Sequence, residues 1–207
     1  MAKIKDALIL TAITLIAGFL LGGVYELTKE PIAQRQLEAN AKAYQAVLPG
    51  SKEFRTDESL TGKVAVADSL LGQSGLSVEQ VTIDKAAYAY DESDALTGLI
   101  VEVTSKDGYG GAITLAVGIR KEGAGQVVSG IDFLEINETA GLGMKATEPA
   151  FKEQFQNKQV ESFELTKDGA AEEYQVDALS GATRTSNAVT NAVNGALYFA
   201  REAALGQ

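Results

Sequence analysis

The chain has 207 residues and a net charge of −10 at neutral pH, from 18 Lys and Arg against 28 Asp and Glu, which excludes non-specific nucleic-acid binding driven by basic residues. It contains neither Cys nor His, which excludes disulfides, thiolate metal sites, iron–sulfur ligation by Cys and any Ser-His or Cys-His nucleophile within the chain. No side chain has an ordinary pKa near neutrality, so acid–base chemistry would need a strongly shifted carboxylate or Lys, and a cofactor is the expected source of any chemistry here.

Near the start, Lys3, Lys5 and Asp6 precede an uncharged run over residues 7–25, rich in Leu, Ile and Ala. At helical rise this run covers about 28 Å, close to the hydrocarbon thickness of a bilayer. A cleaved signal peptide competes, because Lys residues precede the run. The run is long for a signal sequence and lacks a small-x-small cleavage site, so a single transmembrane helix is expected. Positive charge before the span assigns residues 1–6 to the cytoplasm and everything after the span to the other side. The expected location is the inner (cytoplasmic) membrane, crossed once, with residues 7–25 in contact with lipid.

Residues 26–50 read as a juxtamembrane helix. Thr28-Lys29-Glu30-Pro31 marks a break and a new helix start. Leu37, Ala41, Tyr44 and Leu48 then share one face, and Pro49-Gly50 ends the helix. Residues 51–207 form the folded domain, of which 51–80 show no clear pattern. Residues 99–104, 113–119 and 127–136 are β-rich runs bounded by Gly and charge. Residues 121–125 read as a hairpin connection, so a mainly antiparallel meander with flanking helices is expected, an α+β fold. Gly108-Tyr109-Gly110-Gly111 joins two of these strands as a turn. Glu138-Thr139-Ala140-Gly141-Leu142-Gly143 reads as a tight loop, either a plain turn with one buried Leu or a backbone surface for a flat ligand. A short helix opens at Thr147-Glu148-Pro149 with Phe151 and Phe155 as core. Residues 162–165 and 174–176 can be strands.

The second of these delivers the chain to Asp177-Ala178-Leu179-Ser180-Gly181-Ala182-Thr183-Arg184-Thr185-Ser186. A helical pattern follows from about Asn187. Val189, Val193, Leu197 and Ala200 lie on its inner face, and Asn187, Thr190, Asn191, Asn194 and Arg201 on the other. A hydroxyl cluster thus stands at a helix mouth. Spacing alone leaves two readings: Thr185 or Ser186 caps the helix, or the cluster binds a phosphate.

Asp177-x-x-Ser180-Gly181-Ala182-Thr183 resembles the flavinylation motif of membrane redox complexes, and Thr185 and Ser186 fit its continuation. Thr-Lys-Glu-Pro after the span, Gly-Tyr-Gly-Gly, and Glu-Thr-x-Gly-Leu-Gly occur in the order seen in the FMN-binding G subunit of Rnf-type ion-translocating electron transport complexes. That family is related to the C subunit of the sodium-translocating NADH:quinone oxidoreductase. Ala140 departs from the Pro usual in that loop. The resemblance implies an FMN-binding domain outside the cytoplasm, with FMN joined to Thr183 by a phosphoester. It implies cofactor contacts from Asp177, Ser180, Gly181, Ala182, Thr185 and Ser186, and from Glu138, Thr139, Gly141, Leu142 and Gly143. It also implies a flavin transferase for maturation, and other subunits with which the chain moves electrons between ferredoxin and NAD, coupled to Na⁺ or H⁺ transport. No metal ligand and no residue catalytic by itself is expected. The other classes left open are a stand-alone membrane-anchored flavoprotein reductase and a non-redox assembly or binding module.

Overall fold

The computed structural model describes residues 2–204 apart from 77, 79 and 124. The chain divides into two units, Met1–Asn40 and Ala41–Gln207. Its first element is one long helix, α1 (Ala2–Val47). In the first unit its apolar side chains, Ile9, Ile13, Ile16, Leu20 and Leu21 among them, are exposed. The stretch Ile9–Val47 is long and apolar enough to cross a membrane, with a peak mean hydropathy of 1.8 over 18 residues and none of that window buried. A helix apolar on all sides and covered by no protein is suited to lipid.

The break expected at Pro31 is absent, because Pro31 lies inside α1. A proline there removes one backbone hydrogen bond. Strong helix formers on both sides carry the helix through. Just before the proline, the Thr28 hydroxyl donates to the Val24 carbonyl at 2.8 Å and Lys29 pairs with Glu26 at 2.6 Å.

The second unit is built on a five-stranded antiparallel sheet in chain order: β1 (Glu53–Arg55), β2 (Val81–Tyr90), β3 (Leu96–Ser105), β4 (Ile113–Glu122) and β5 (Gly125–Glu135). Two short helices, α2 (Glu58–Ala65) and α3 (Ala67–Leu71), fill the stretch that had no sequence pattern. The Asp57 carboxylate caps α2 by accepting from the Leu60 amide at 2.6 Å. β2 escaped the pattern because the ladder shifts register between Ile83 and Lys85, which puts Asp84 and Lys85 side by side in the open. After β5 come α4 (Pro149–Lys152), a 3₁₀ turn Glu153–Phe155, the parallel pair β6 (Glu164–Thr166) and β7 (Gln175–Asp177), and α5 (Thr183–Phe199). Phe151 and Phe155 are buried edge-to-face, with Phe163 beside Phe155.

Strand alternation divides the core. Leu99, Val101 and Val103 of β3 belong with the apolar face of α5, and Ile100 belongs to a smaller cluster on the opposite face. Ala188, Val189, Ala192, Val193, Ala196 and Leu197 line the buried face of α5. Asn194, expected on the open face, is buried instead. Its side chain accepts from the Phe163 amide at 2.7 Å and donates to the Phe163 carbonyl at 2.9 Å. It is an amide matched to an otherwise unpaired backbone just before β6.

The smaller cluster holds the last turn of α1, with Tyr44, Val47 and Leu48 packed against Ala89, Ile100 and Ala116. This turn fits because three facing strand residues lack side chains. A Cβ on Gly118 would overlap the Val47 carbonyl oxygen, one on Gly98 would stand 3.2 Å from both Leu48 methyl groups, and one on Gly130 would stand 3.7 Å from Val47 Cα. Gly118→Ala is therefore expected to lower domain stability by about 1–3 kcal/mol through overpacking. Urea unfolding of the full chain in detergent checks this, and an unchanged midpoint refutes it.

Glu102 is half-buried on the same face. The Tyr44 hydroxyl donates to its Oε1, and Lys85 Nζ lies 3.7 Å away. Burial pushes its carboxyl above the ordinary value of 4.5. Because ionisation is harder folded than unfolded, this group withdraws stability as pH rises from about 4.5 through its raised folded value. Glu102→Gln keeps an acceptor for Tyr44 and removes the charge. Its stability relative to wild type should rise with pH across that window, as read by melting temperature at a series of pH values.

Candidate functional site

The first turn of α5 is built by a small set of local bonds. The Ala182 amide donates to the Leu179 carbonyl at 2.9 Å, closing a turn in which Gly181 takes φ +76°. The Ser186 hydroxyl donates to the Ala182 carbonyl at 3.0 Å and accepts from the Leu179 amide at 2.9 Å, so it clips the turn to the helix. The helix starts at Thr183, four residues earlier than the sequence pattern suggested, because Ser186 stabilises a first turn that carries little apolar signal. Neither Thr185 nor Ser186 caps it. The N-cap position is Ala182, which offers no side-chain acceptor. The first-turn amides thus face outward without a capping side chain, beside the positive end of the helix dipole.

Two loops at the same end of the sheet meet this turn. The first joins β3 to β4, and Arg184 Nε donates to its Asp107 carbonyl at 3.0 Å. The second follows β5. Its Thr139 carbonyl accepts from the Leu142 and Met144 amides at 3.1 and 3.2 Å, closing the turn around Gly141. Glu138 ties the two loops together, with Oε1 accepting from the Tyr109 amide at 2.7 Å and the Gly110 amide at 3.2 Å.

The three stretches enclose a cavity of about 320 Å³, lined by Tyr109, Glu138, Thr139, Leu142, Gly143 and residues 181–185. Small-molecule pockets run from about 300 to 1,000 Å³. At its rim Tyr109 is 71% exposed and Leu142 43% exposed, offering apolar surface to a flat group. A larger cleft of about 450 Å³ lies beside α3 and β2, but its Asp68 and Lys106 are solvent-exposed and none of the sequence motifs reaches it.

Of the residues singled out in the sequence, Glu138, Thr139, Leu142, Gly143, Gly181, Ala182, Thr183 and Thr185 line this cavity. Ser180 is exposed and outside the lining, and Gly141 forms the turn behind it with φ +76°. Ser186 is fully buried and engaged in the turn. Asp177 faces elsewhere, its Oδ1 accepting from the Ala170 amide at 2.7 Å while its own amide donates to Gln154 Oε1 at 2.6 Å. It orders a neighbouring loop. Tyr109 and Arg184 complete the lining and were not picked out as site residues. The Gly-Tyr-Gly-Gly motif was the signal for Tyr109, and position in a first helical turn was the signal for Arg184.

Sequence comparisons converge on one family. The FMN-binding domain profile matches residues 108–198, and the RnfG N-terminal region profile matches residues 1–47. The chain is 30% identical over 198 residues to the G subunit of the ion-translocating oxidoreductase complex of Methanosarcina acetivorans, covering 94% of this chain and 93% of that one. It is 29% identical over 204 residues to the G subunit of the proton-translocating ferredoxin:NAD(+) oxidoreductase complex of Clostridium ljungdahlii, covering 95% of each. It is 28% identical over 192 residues to the G subunit of the Na(+)-translocating ferredoxin:NAD(+) oxidoreductase complex of Acetobacterium woodii, covering 92% of this chain and 87% of that one.

The Ser186 clip has a measurable cost. Ser186→Ala leaves the Leu179 amide without its acceptor, and is expected to destabilise the domain by about 1–3 kcal/mol. Hydrogen exchange at Leu179 should accelerate along with a lower urea midpoint, and an unchanged rate there refutes the clip.

Proposed function

The chain belongs to the G-subunit family of ion-translocating oxidoreductase complexes and contains that family's FMN-binding domain, and from this premise we propose that it carries FMN as a phosphoester on Thr183 and passes electrons within a membrane complex that couples them to ion transport. The observation that supports this reading most is the sorting of four neighbouring hydroxyls. Ser186 is enclosed by its own hydrogen bonds, Thr185 is 1% exposed, and Ser180 lies outside the cavity. Thr183 is half-buried, lines the cavity and occupies the first helical position. Uncapped first-turn amides at that point suit phosphate oxygens, and Arg184 adds a cation.

The remaining lining fits the rest of the group. Tyr109 and Leu142 offer apolar faces to an aromatic ring, and Glu138 offers a buried acceptor. Bound FMN would supply redox chemistry that no side chain of this chain offers. The ester at Thr183 would form when its Oγ attacks the flavin phosphorus of a pyrophosphate-activated flavin donor: the hydroxyl proton passes to a base, the phosphoanhydride P–O bond breaks, and the non-flavin half of the donor departs with that oxygen. The chain has no His to act as that base, so a separate flavin transferase performs the step. Residues 7–25 anchor the chain in lipid, residues 1–6 stay in the cytoplasm, residues 26–50 extend the helix beyond the span, and the domain over residues 51–207 works outside the cytoplasm. Its partners are the other subunits of the complex, moving electrons between ferredoxin and NAD. Relatives of near-equal similarity are named for proton and Na⁺ translocation, so the coupling ion, Na⁺ or H⁺, is a property of the complex.

Thr183→Val keeps the β-branched shape and removes the attachment oxygen. The variant should fold with wild-type stability, lack the FMN mass increment and visible absorption after denaturation, and inactivate the parent complex. Covalent FMN on the variant refutes the site. For topology, a reporter fused to the C-terminus should be active only outside the cytoplasm. Cytoplasmic activity overturns the orientation.

A further inference from the structure

Away from the cavity, three polar groups meet where the end of α1 is seated. Residues 41–48 belong to the second unit and pack on the sheet face opposite α5. The Tyr44 hydroxyl donates to Glu102 Oε1, and Lys85 Nζ lies 3.7 Å from the same oxygen. Lys85 Nζ also stands 5.8 Å from the centre of the Tyr44 ring. That ring is held edge-on against Phe54 of β1, with centroids 5.2 Å apart. The Glu102 side chain is only 15% exposed.

The groups around this carboxylate can be followed element by element. In register beside Glu102 are Lys85 on β2 and Ala116 on β4. Next in that row, Asp132 of β5 pairs with Lys152 at 2.8 Å. Asp84, the neighbour of Lys85, accepts from the Thr104 hydroxyl at 2.6 Å. Arg55, the neighbour of Phe54, pairs with Glu53 and Asp94. Lys42 of α1 is exposed. Tyr44 and Lys85 favour the ionised carboxylate, and burial disfavours it. Burial is the larger effect and pushes the Glu102 carboxyl up.

We propose that Glu102 is a proton-linked latch for the end of α1: a proton on Glu102 seats residues 41–48 in the slot at Gly98, Gly118 and Gly130, and its departure loosens them. Release returns the carboxylate to water, where it ionises at its ordinary value. Because ionisation is harder seated than released, seating is strongest at acidic pH. It weakens as pH rises through the raised value of the seated group. The three slot glycines belong to β3, β4 and β5. The β3–β4 connection and the loop after β5 line the cavity. The latch therefore sets how firmly α1 holds the strands that carry those loops.

The test uses the full-length chain in detergent, which has no Cys of its own. Gln45→Cys on α1 and Gln73→Cys beyond α3 are both at exposed positions and take spin labels. Pulsed electron resonance then reads the distance between them from about pH 4 to about pH 8. One seated distance is expected at the acidic end, and a second, broader population should grow as pH rises. The ratio of released to seated chains should rise by at most about tenfold per pH unit, the limit for one proton. Glu102→Gln should hold the seated distance across the whole range. Tyr44→Phe keeps the ring and removes the donor to the ionised oxygen, so its loosening should begin at lower pH. A labelled parent with the same distances at every pH overturns the proposal. So does a Glu102→Gln chain that loosens as the parent does, a Tyr44→Phe chain with the parent's pH response, or a rise steeper than one proton allows.

Discussion

Everything at the candidate site depends on how closely α5 lies on the sheet. The middle of its buried face carries Ala188, Val189, Ala192, Val193 and Ala196, and at Gly195 even a Cβ would come 2.8 Å from Val81 Cγ1. Side chains this small let helix and strands approach closely, and close packing fixes position along the helix axis as well as across it. Asn194 adds directional bonds to Phe163. The N-terminus of α5 is thereby held at the sheet end where the β3–β4 connection and the loop after β5 emerge, and Arg184 reaches the Asp107 carbonyl there. Three stretches distant in sequence meet there, joined by Arg184 to the Asp107 carbonyl and by Glu138 to the Tyr109 and Gly110 amides.

Much of this was legible in the chain itself. β3, β4 and β5 were read as β-rich runs bounded by Gly and charge, and the hairpin after β4 and the Phe151–Phe155 pair were read as well. Elements that escaped have physical reasons. β2 carries a register shift at Asp84, which breaks the period on which strand reading rests. α2 and α3 are 8 and 5 residues long, too short for a helical period to show. The first turn of α5 is stabilised by a hydroxyl bond, which hydrophobic pattern cannot register. At the site, motif residues near Glu138 and Thr183 were legible. The loss of Ser180, Ser186, Asp177 and Gly141 from the cavity lining was not, since a motif read as a string does not say which residues turn inward. Pro31 was misread because the rule that proline ends helices weakens where every neighbour favours the helix.

The arrangement also relates composition to chemistry. A chain without His or Cys has no side chain whose ordinary pKa lies near neutrality. What it offers is a shaped place: free amides, one cation, one fixed carboxylate oxygen and an apolar rim. These are binding groups of opposite polarity around one cavity of about 320 Å³. Such a place suits the FMN proposed above, and it is a narrower description than any one motif provides.

The wall made by Gly143, Gly181 and Ala182 has a further consequence. None of the three has a side-chain rotamer to change. A group held against them meets a surface with no side chain to reorient. For electron exchange, the quantity that sets the intrinsic barrier is how far the surroundings must rearrange when charge arrives or leaves. A wall of glycine and alanine adds no side-chain rearrangement of its own to that quantity.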